Sequence, residues 1–426
     1  MSLKPAASWY EATARRDASL PPLEGDVEAD VCVVGAGLSG CSTALHLAER
    51  GYKVVVLEAE RIGYGASGRS GGQIIPGWAG GTDKLAAQLG KGDARRLWDF
   101  SIEGIELTRE LIQRNRIDCE LAWGHVHVAL KPRQRQELLD MQREQEQEFG
   151  YRKLRFMERE ETESWIASRR YVAGLYDAGA GHLHPLRYTI GVGKAAIAAG
   201  ARIFEHSAVT GIAYGPTATV KTARGSVRAK FVAICANVGN VELSDRLARK
   251  LIGVASYIVA TKPLGEARAK ALLRDNIAVA DLNWIIDYYR FSGDHRLLFG
   301  GRVSYSGLDP LGTERATRLR MLNVFPQLAD VDIEYAWGGM IDITMSRLPD
   351  FGRLRPNVYY LQGYSGHGMV AATIGGRILA EAIAGQAERF DIFTRIRHHD
   401  FPGGRLFRRP TLVAAMTWFR LRDLMP

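Results

Sequence analysis

Residues 30–58 constrain this chain more than any other stretch. They open with DVCVVG (30–35), a short apolar run rich in β-branched residues, the pattern of a strand buried on both faces. Leu38, Cys41, Leu45 and Ala48 then recur at helical spacing, and Gly51 follows as a stop. KVVVLE (53–58) is a second buried strand. Together they make a βαβ unit. Its first turn reads GAGLSG, with Gly35, Gly37 and Gly40 at G-x-G-x-x-G spacing. Such glycines permit a tight turn, close approach to a pyrophosphate and close helix–strand packing. Leu38 and Ser39 open the helix, whose free amides and dipole favour phosphate. Glu58, followed by Ala59, ends the second strand 18 residues after Gly40, where a carboxylate can accept from a ribose hydroxyl. A lone G-x-G-x-x-G is weak; strand, helix and acid in place predict a dinucleotide site.

The loop that follows is too glycine-dense for an ordinary connection. In residues 61–73, Arg61, Gly65, Ala66, Ser67, Arg69, Ser70, Gly71, Gly72 and Gln73 are expected to wrap a large planar ligand, with Arg61, Ser67 and Arg69 meeting phosphate. The bland alternative is a surface loop.

Further along, the patterns are mixed. Residues 83–117 and 131–170 are charged and periodic and predict helices, with strands at 125–130 and 171–176. A helix at 186–199, a strand at 201–204, a hairpin around 223–225 and a buried strand at 231–235 follow. Ala236 and Asn237 end that last strand, where such sheets bind ligands. Residues 255–299 predict longer alternating strands, with Trp284, Ile286, Tyr288 and Arg290 on one face. A strand at 357–361, a glycine-rich turn at 363–368 and a helix at 369–384 close the pattern. The fold class is α/β, α+β overall, and 426 residues predict two structural units.

Composition narrows the setting. Four cysteines (Cys32, Cys41, Cys119, Cys235) form no CxxC pair, so neither a disulfide framework nor a metal cluster is expected, and a reducing compartment fits. His182 and His184 lack a carboxylate or thiol partner at ligand spacing, so a loop near the cofactor is preferred to a metal site. Residues 1–22 carry no apolar signal segment, and the apolar run 411–419 is too short to span a bilayer, so a cytoplasmic protein is expected. The net charge of +9 is partly local: residues 401–422 hold five arginines (Arg405, Arg408, Arg409, Arg420, Arg422) and no acid. That tail either touches a membrane surface or packs on its own domain, the preferred reading. No motif supports nucleic-acid binding.

The fingerprint, Glu58 and GASGRSGGQ (65–73) together resemble the FAD-binding start of the D-amino-acid oxidase/glycine oxidase superfamily. GHLHPL (181–186), DYYR (287–290), LLFGGRV (297–303), FPQL (325–328), SRLPDFGRL (346–354), YYLQGYSGHG (359–368) and FPGGR (401–405) extend the similarity nearly end to end, towards the branch that oxidises γ-glutamylputrescine in bacterial putrescine breakdown. The resemblance implies a Rossmann-type FAD-binding domain built from segments 25–85, 180–245 and 340–395. It implies a mixed β-sheet substrate domain from 86–179 and 246–339, leaving 396–426 as a basic C-terminal tail. It also implies contacts to FAD from Val209, Gly338 and the turn Gly363, Ser365, Gly366, His367, Gly368 and Met369. Glycine-exposed amides at a helix start would stabilise negative charge on reduced flavin.

Two departures from the family pattern matter. With Trp337, Gly338, Gly339 and Thr344 as anchors, Ile341 stands where sarcosine oxidase relatives carry a flavin-bonding cysteine and glycine oxidase relatives a carboxylate-clamping arginine. Non-covalent FAD and an uncharged carbon beside the reacting amine are therefore expected. Leu298 stands where sarcosine-oxidase-like enzymes place the lysine that promotes reaction with O2, so the acceptor is O2 or another electron acceptor. The expected activity is oxidation of a small-molecule amine at its C–N bond, giving imine, then aldehyde and ammonia, with His367, Tyr288 and Arg302 as substrate-side candidates. Two rivals are a D-amino-acid or N-methyl-amine dehydrogenase feeding a quinone, and a flavin subunit of a larger complex.

Overall fold

The computed structural model describes residues 8–304 and 312–402, with the side chains of 302–304 left out. Most of the basic tail, including Arg405, Arg408, Arg409, Arg420 and Arg422, and the side chain of Arg302 lie outside the described residues.

The apolar runs at 30–35 and 53–58 become adjacent parallel strands, Gly25–Val34 and Val54–Leu57. They sit in an eight-stranded sheet with Arg202–Phe204 on one side and Gly225–Ile234, Val358–Gln362 and Asp350–Arg355 on the other. The central pairings are parallel; the edge strand Asp350–Arg355 runs antiparallel. The helices Leu38–Ala48 and Gly368–Ile383 cross on this sheet almost backbone to backbone. A Cβ on Gly376 would stand 2.6 Å from Ser42 Cβ, and Ser42 Oγ donates to Thr373 O at 2.7 Å. Both helices are buried nearly throughout.

A second, nine-stranded sheet is drawn from the intervening segments, running from Ile333–Ile343 through Ile252–Thr261, Leu297–Ser304, Tyr288–Phe291, Ala278–Asp281, Ala122–Ala129 and Ala173–His182 to Gln73–Ile74. The short strand Gln73–Ile74 carries the glycine loop from the first sheet into the second.

Several expectations are corrected. The predicted helix 83–117 breaks at Gly90, whose φ of 86° a helix cannot accommodate. Residues 131–170 hold two helices separated by the strand Leu154–Glu158, which finds a ladder partner in Ala173–His182. The strand at 231–235 is the end of the longer Gly225–Ile234. Trp284 and Ile286 are not on the Tyr288 strand, because Asp281 captures the local amides instead: Asn283 N and Asp287 N both donate to its Oδ1 at 3.1 Å. Side chain–backbone bonds of this kind compete with a ladder. Residues 282–287 therefore form a loop, and the strand starts at Tyr288.

Candidate active site

Where the two sheets meet, a cavity of about 720 Å³ runs along the carboxyl ends of the first sheet and under the second. Gly35, Gly37, Leu38, Ser39, Glu58 and Ala59 line one part of it. Gly40 does not: a Cβ there would stand 1.9 Å from Gly35 O, so its absence lets the helix lie against the first strand. Glu58 is half-buried, and desolvation of its carboxylate raises its pKa. One oxygen accepts from Ala36 N at 2.6 Å and the other from Glu60 N at 2.9 Å. Val209, Ala236 and Asn237 stand beside it.

From the glycine loop, Gly65, Ala66, Ser67, Arg69, Ser70, Gly71, Gly72 and Gln73 reach the cavity. Ser67 Oγ accepts from Leu38 N at 2.9 Å, where the helix offers its free amides. Arg69 donates to Tyr64 O (2.8 Å) and Gly338 O (3.1 Å), so Gly338 sits behind Arg69 and Gly339 takes the wall. Arg61 is a correction. It turns away to Asp17 O (2.8 Å) and to the Glu205 carboxylate (3.6 Å), because the acid buried beneath the loop draws the cation outward from the cavity.

The turn at 363–368 is pinned from behind. Asp342 accepts from Gly363 N (2.5 Å) and Tyr364 N (3.1 Å), and burial pushes its carboxyl up to about 6. Gly363, Ser365 and Gly366 have positive φ (82°, 52° and 88°), which turns this segment sharply into the helix Gly368–Ile383. Ser365, Gly366, His367, Gly368 and Met369 line the cavity; Gly363 serves the turn behind it. His367 is oriented by Ile75 O, 3.2 Å from Nε2, and burial lowers its pKa. A Cβ on Gly366 would stand 3.8 Å from Ile341 Cδ1, so Ile341 is the wall facing the turn.

Tyr288 joins the cavity from the second sheet. Its ring lies across Gly300, where a Cβ would meet Tyr288 Cζ at 2.1 Å, and against Gly71 at 2.8 Å from Cε2. Its hydroxyl is 3.4 Å from Ser256 Oγ, and burial pushes the phenol up to about 12. Leu298 is buried behind Tyr288 and Gly71, outside the main cavity.

His182 and His184 also fall outside it. His182 bonds Asn276 O, and His184 caps the helix Pro185–Ala198, accepting from Arg187 N. Burial holds both neutral, their pKa values lowered to about 3 and about 2. Among the described residues no cluster of His, Cys, Asp or Glu could hold a metal ion.

Some lining residues were not among the site candidates read from the sequence. His127, lowered to about 4 by burial, and Asp281, raised to about 7, face the cavity with Trp284 and Arg347. Arg290 clamps the site from behind. Fully buried, it donates to Gly71 O (2.8 Å), Leu183 O (2.9 Å) and Tyr10 OH (3.1 Å), tying the glycine loop to the N-terminal helix. The available signal was a charged residue in an aromatic strand, DYYRF, and an acid within the alternating strand that ends at Ile343.

Residues 30–382 match the family model described as FAD dependent oxidoreductase. The chain is 42% identical over 421 residues to gamma-glutamylputrescine oxidoreductase of Escherichia coli K12, covering 98% of each. It is 39% identical to a probable oxidoreductase OrdL of Haemophilus influenzae, over 98% of this chain and 97% of that one. The fold matches glycine oxidase from Geobacillus kaustophilus, TM-score 0.74 and 20% identity, across 88% of this chain and all of that one.

Proposed function

The chain belongs to the family of FAD-dependent oxidoreductases, and from that premise we propose that it oxidises γ-glutamylputrescine, or a related polyamine derivative, at its primary amine. The enzyme is an FAD-dependent oxidoreductase acting on amine or amino-acid substrates. The cavity suits the cofactor: its lining glycines Gly35 and Gly72 stand where a Cβ would strike backbone, and it joins a helix N-terminus to the acid Glu58. In this reading Glu58 and Val209 hold the adenosine end, Ser67 and the helix N-terminus at 37–39 the pyrophosphate, and 365–369 with 71–73 the ring. Bound there, FAD supplies the two-electron acceptor.

The observation that carries the amine reading is Ile341 at the wall opposite Gly366. An α-amino acid would press its carboxylate against this apolar side chain, and an unpaired buried carboxylate is costly. A primary amine leaves only an uncharged carbon there. An alkyl amine has a pKa of about 10 in water, and an apolar cavity favours its neutral, reactive form. The amine carbon gives up a hydride, the resulting imine takes up water, and aldehyde and ammonia leave. His367, held neutral by burial, and Tyr288, a neutral phenol, are the polar groups we assign to the substrate side; Arg302 is a third whose side chain is outside the described residues. Equimolar aldehyde and ammonia from γ-glutamylputrescine is the expected product pattern, measured by carbonyl trapping and an ammonia assay. Ammonia without the aldehyde, or neither, would overturn it.

A further inference from the structure

The end of the cavity beyond Ile341 is built from other parts. The loop at 282–287 presents Trp284, Ile285 and Ile286 to it. Opposite, past the end of the strand Ile333–Ile343, Arg347 lays its guanidinium on the indole of Trp284, Cζ 4.5 Å from the ring centroid. Arg347 has φ 63°, a left-handed conformation that side chains other than glycine seldom adopt. Such a conformation persists only where the surroundings impose it. Here Arg347 N donates to Thr344 O at 3.1 Å, and Thr344 Oγ1 donates to Leu348 O at 2.8 Å, fixing the turn from both sides. Ile286, which lines the cavity here, has 41% of its surface exposed, so this end opens to solvent.

A long substrate with its reacting carbon at Ile341 leaves its other end at this mouth. A guanidinium held against an aromatic face keeps its planar fork of donors in one orientation, and that fork matches a carboxylate in two parallel hydrogen bonds. Resting on the amine-oxidation reading above, we propose that Arg347, set by Trp284, forms a distal subsite for a carboxylate at the end of the substrate remote from the C–N bond. The α-carboxylate of a γ-glutamylated diamine fits that description. The cavity then sorts carboxylates by position: it accepts one at the mouth and refuses one beside Ile341.

The test compares R347Q and W284L holoenzymes with wild type on two amines, γ-glutamylputrescine and N-acetylputrescine, which lacks the carboxylate. In anaerobic stopped-flow reduction, R347Q should raise the half-saturating concentration of γ-glutamylputrescine at least ten-fold more than that of N-acetylputrescine, and change the limiting rate far less. W284L should shift the same ratio in the same direction. Equal losses on both amines would overturn the subsite. Calorimetric binding, under anaerobic conditions, of γ-glutamylethylamide, which keeps the glutamyl α-carboxylate and lacks the terminal amine of the putrescine arm, reads the subsite apart from oxidation at that amine. Its affinity should fall at least ten-fold in R347Q, and unchanged affinity overturns the proposal. If wild type binds this probe through Arg347 yet neither amine reduces the flavin, the amine reading fails and the carboxylate subsite stands.

Discussion

Glu58 holds two backbone amides, those of Ala36 and Glu60, at the turn where the first two parallel strands end. It therefore shapes the turn as well as facing the cavity. E58A should weaken FAD binding by roughly 1–3 kcal/mol, the scale for leaving buried polar groups unpaired. Fluorescence titration of apoprotein with FAD measures it, and unchanged affinity would show that Glu58 does not serve the cofactor. Ile341 is the side chain on which the proposed amine reading turns. I341R places a cation at the wall facing Gly366 and should slow reduction by amines by at least ten-fold while admitting small amino acids as weak substrates; amine reduction at the wild-type rate would remove Ile341 from the account. These two positions were legible because each belongs to a motif with fixed spacing. Arg61 was not: its distance along the loop suggested phosphate, but Glu205, 144 residues away in sequence, takes its charge.

Local elements were readable where one strand or helix satisfies its own pattern, as in the βαβ unit and the hairpin at 218–234. They were misread where a side chain replaces the ladder, as Asp281 does at 282–287. That loop carries its own pH signature. Asp281 and Asp287 both lie buried near its base, Arg320 Nε donates to Asp287 at 2.6 Å, and burial pushes Asp281 up to about 7 with Asp287 raised as well. A raised carboxyl binds a proton in the folded state that the unfolded chain has already released. Its stabilising contribution is thus complete below the ordinary carboxylate value of about 4 and fades as pH rises towards 7. D281N removes that dependence. The stability of wild type relative to D281N should therefore decline between pH 5 and pH 7.5 in denaturant unfolding of the holoenzymes. Parallel curves would place the Asp281 proton elsewhere.

Across the whole molecule, the scattered nucleotide-type segments come together in one sheet because parallel strands need long crossovers, and the intervening chain builds the second sheet. That division was visible in the changing periodicity. The contacts between the sheets were not, since Tyr288 on Gly300, Arg290 on Gly71 and Asp342 on the 363–364 amides join residues far apart in sequence. The four cysteines are buried, and Cys235, which lines the cavity, has its thiol pushed up to about 12 by burial. No reactive thiolate is thus offered to the flavin, and acid precipitation should release all FAD to the supernatant; yellow colour kept in the pellet would contradict non-covalent binding.

The most direct test of the central claim is anaerobic stopped-flow reduction of the wild-type holoenzyme by γ-glutamylputrescine, putrescine, glycine, sarcosine and D-alanine under one set of conditions. The account predicts that γ-glutamylputrescine reduces the flavin fastest and that the three amino acids are at least ten-fold slower at equal concentration. Reduction by any of the three that equals or exceeds γ-glutamylputrescine would contradict it and move the enzyme to the amino-acid side of its family.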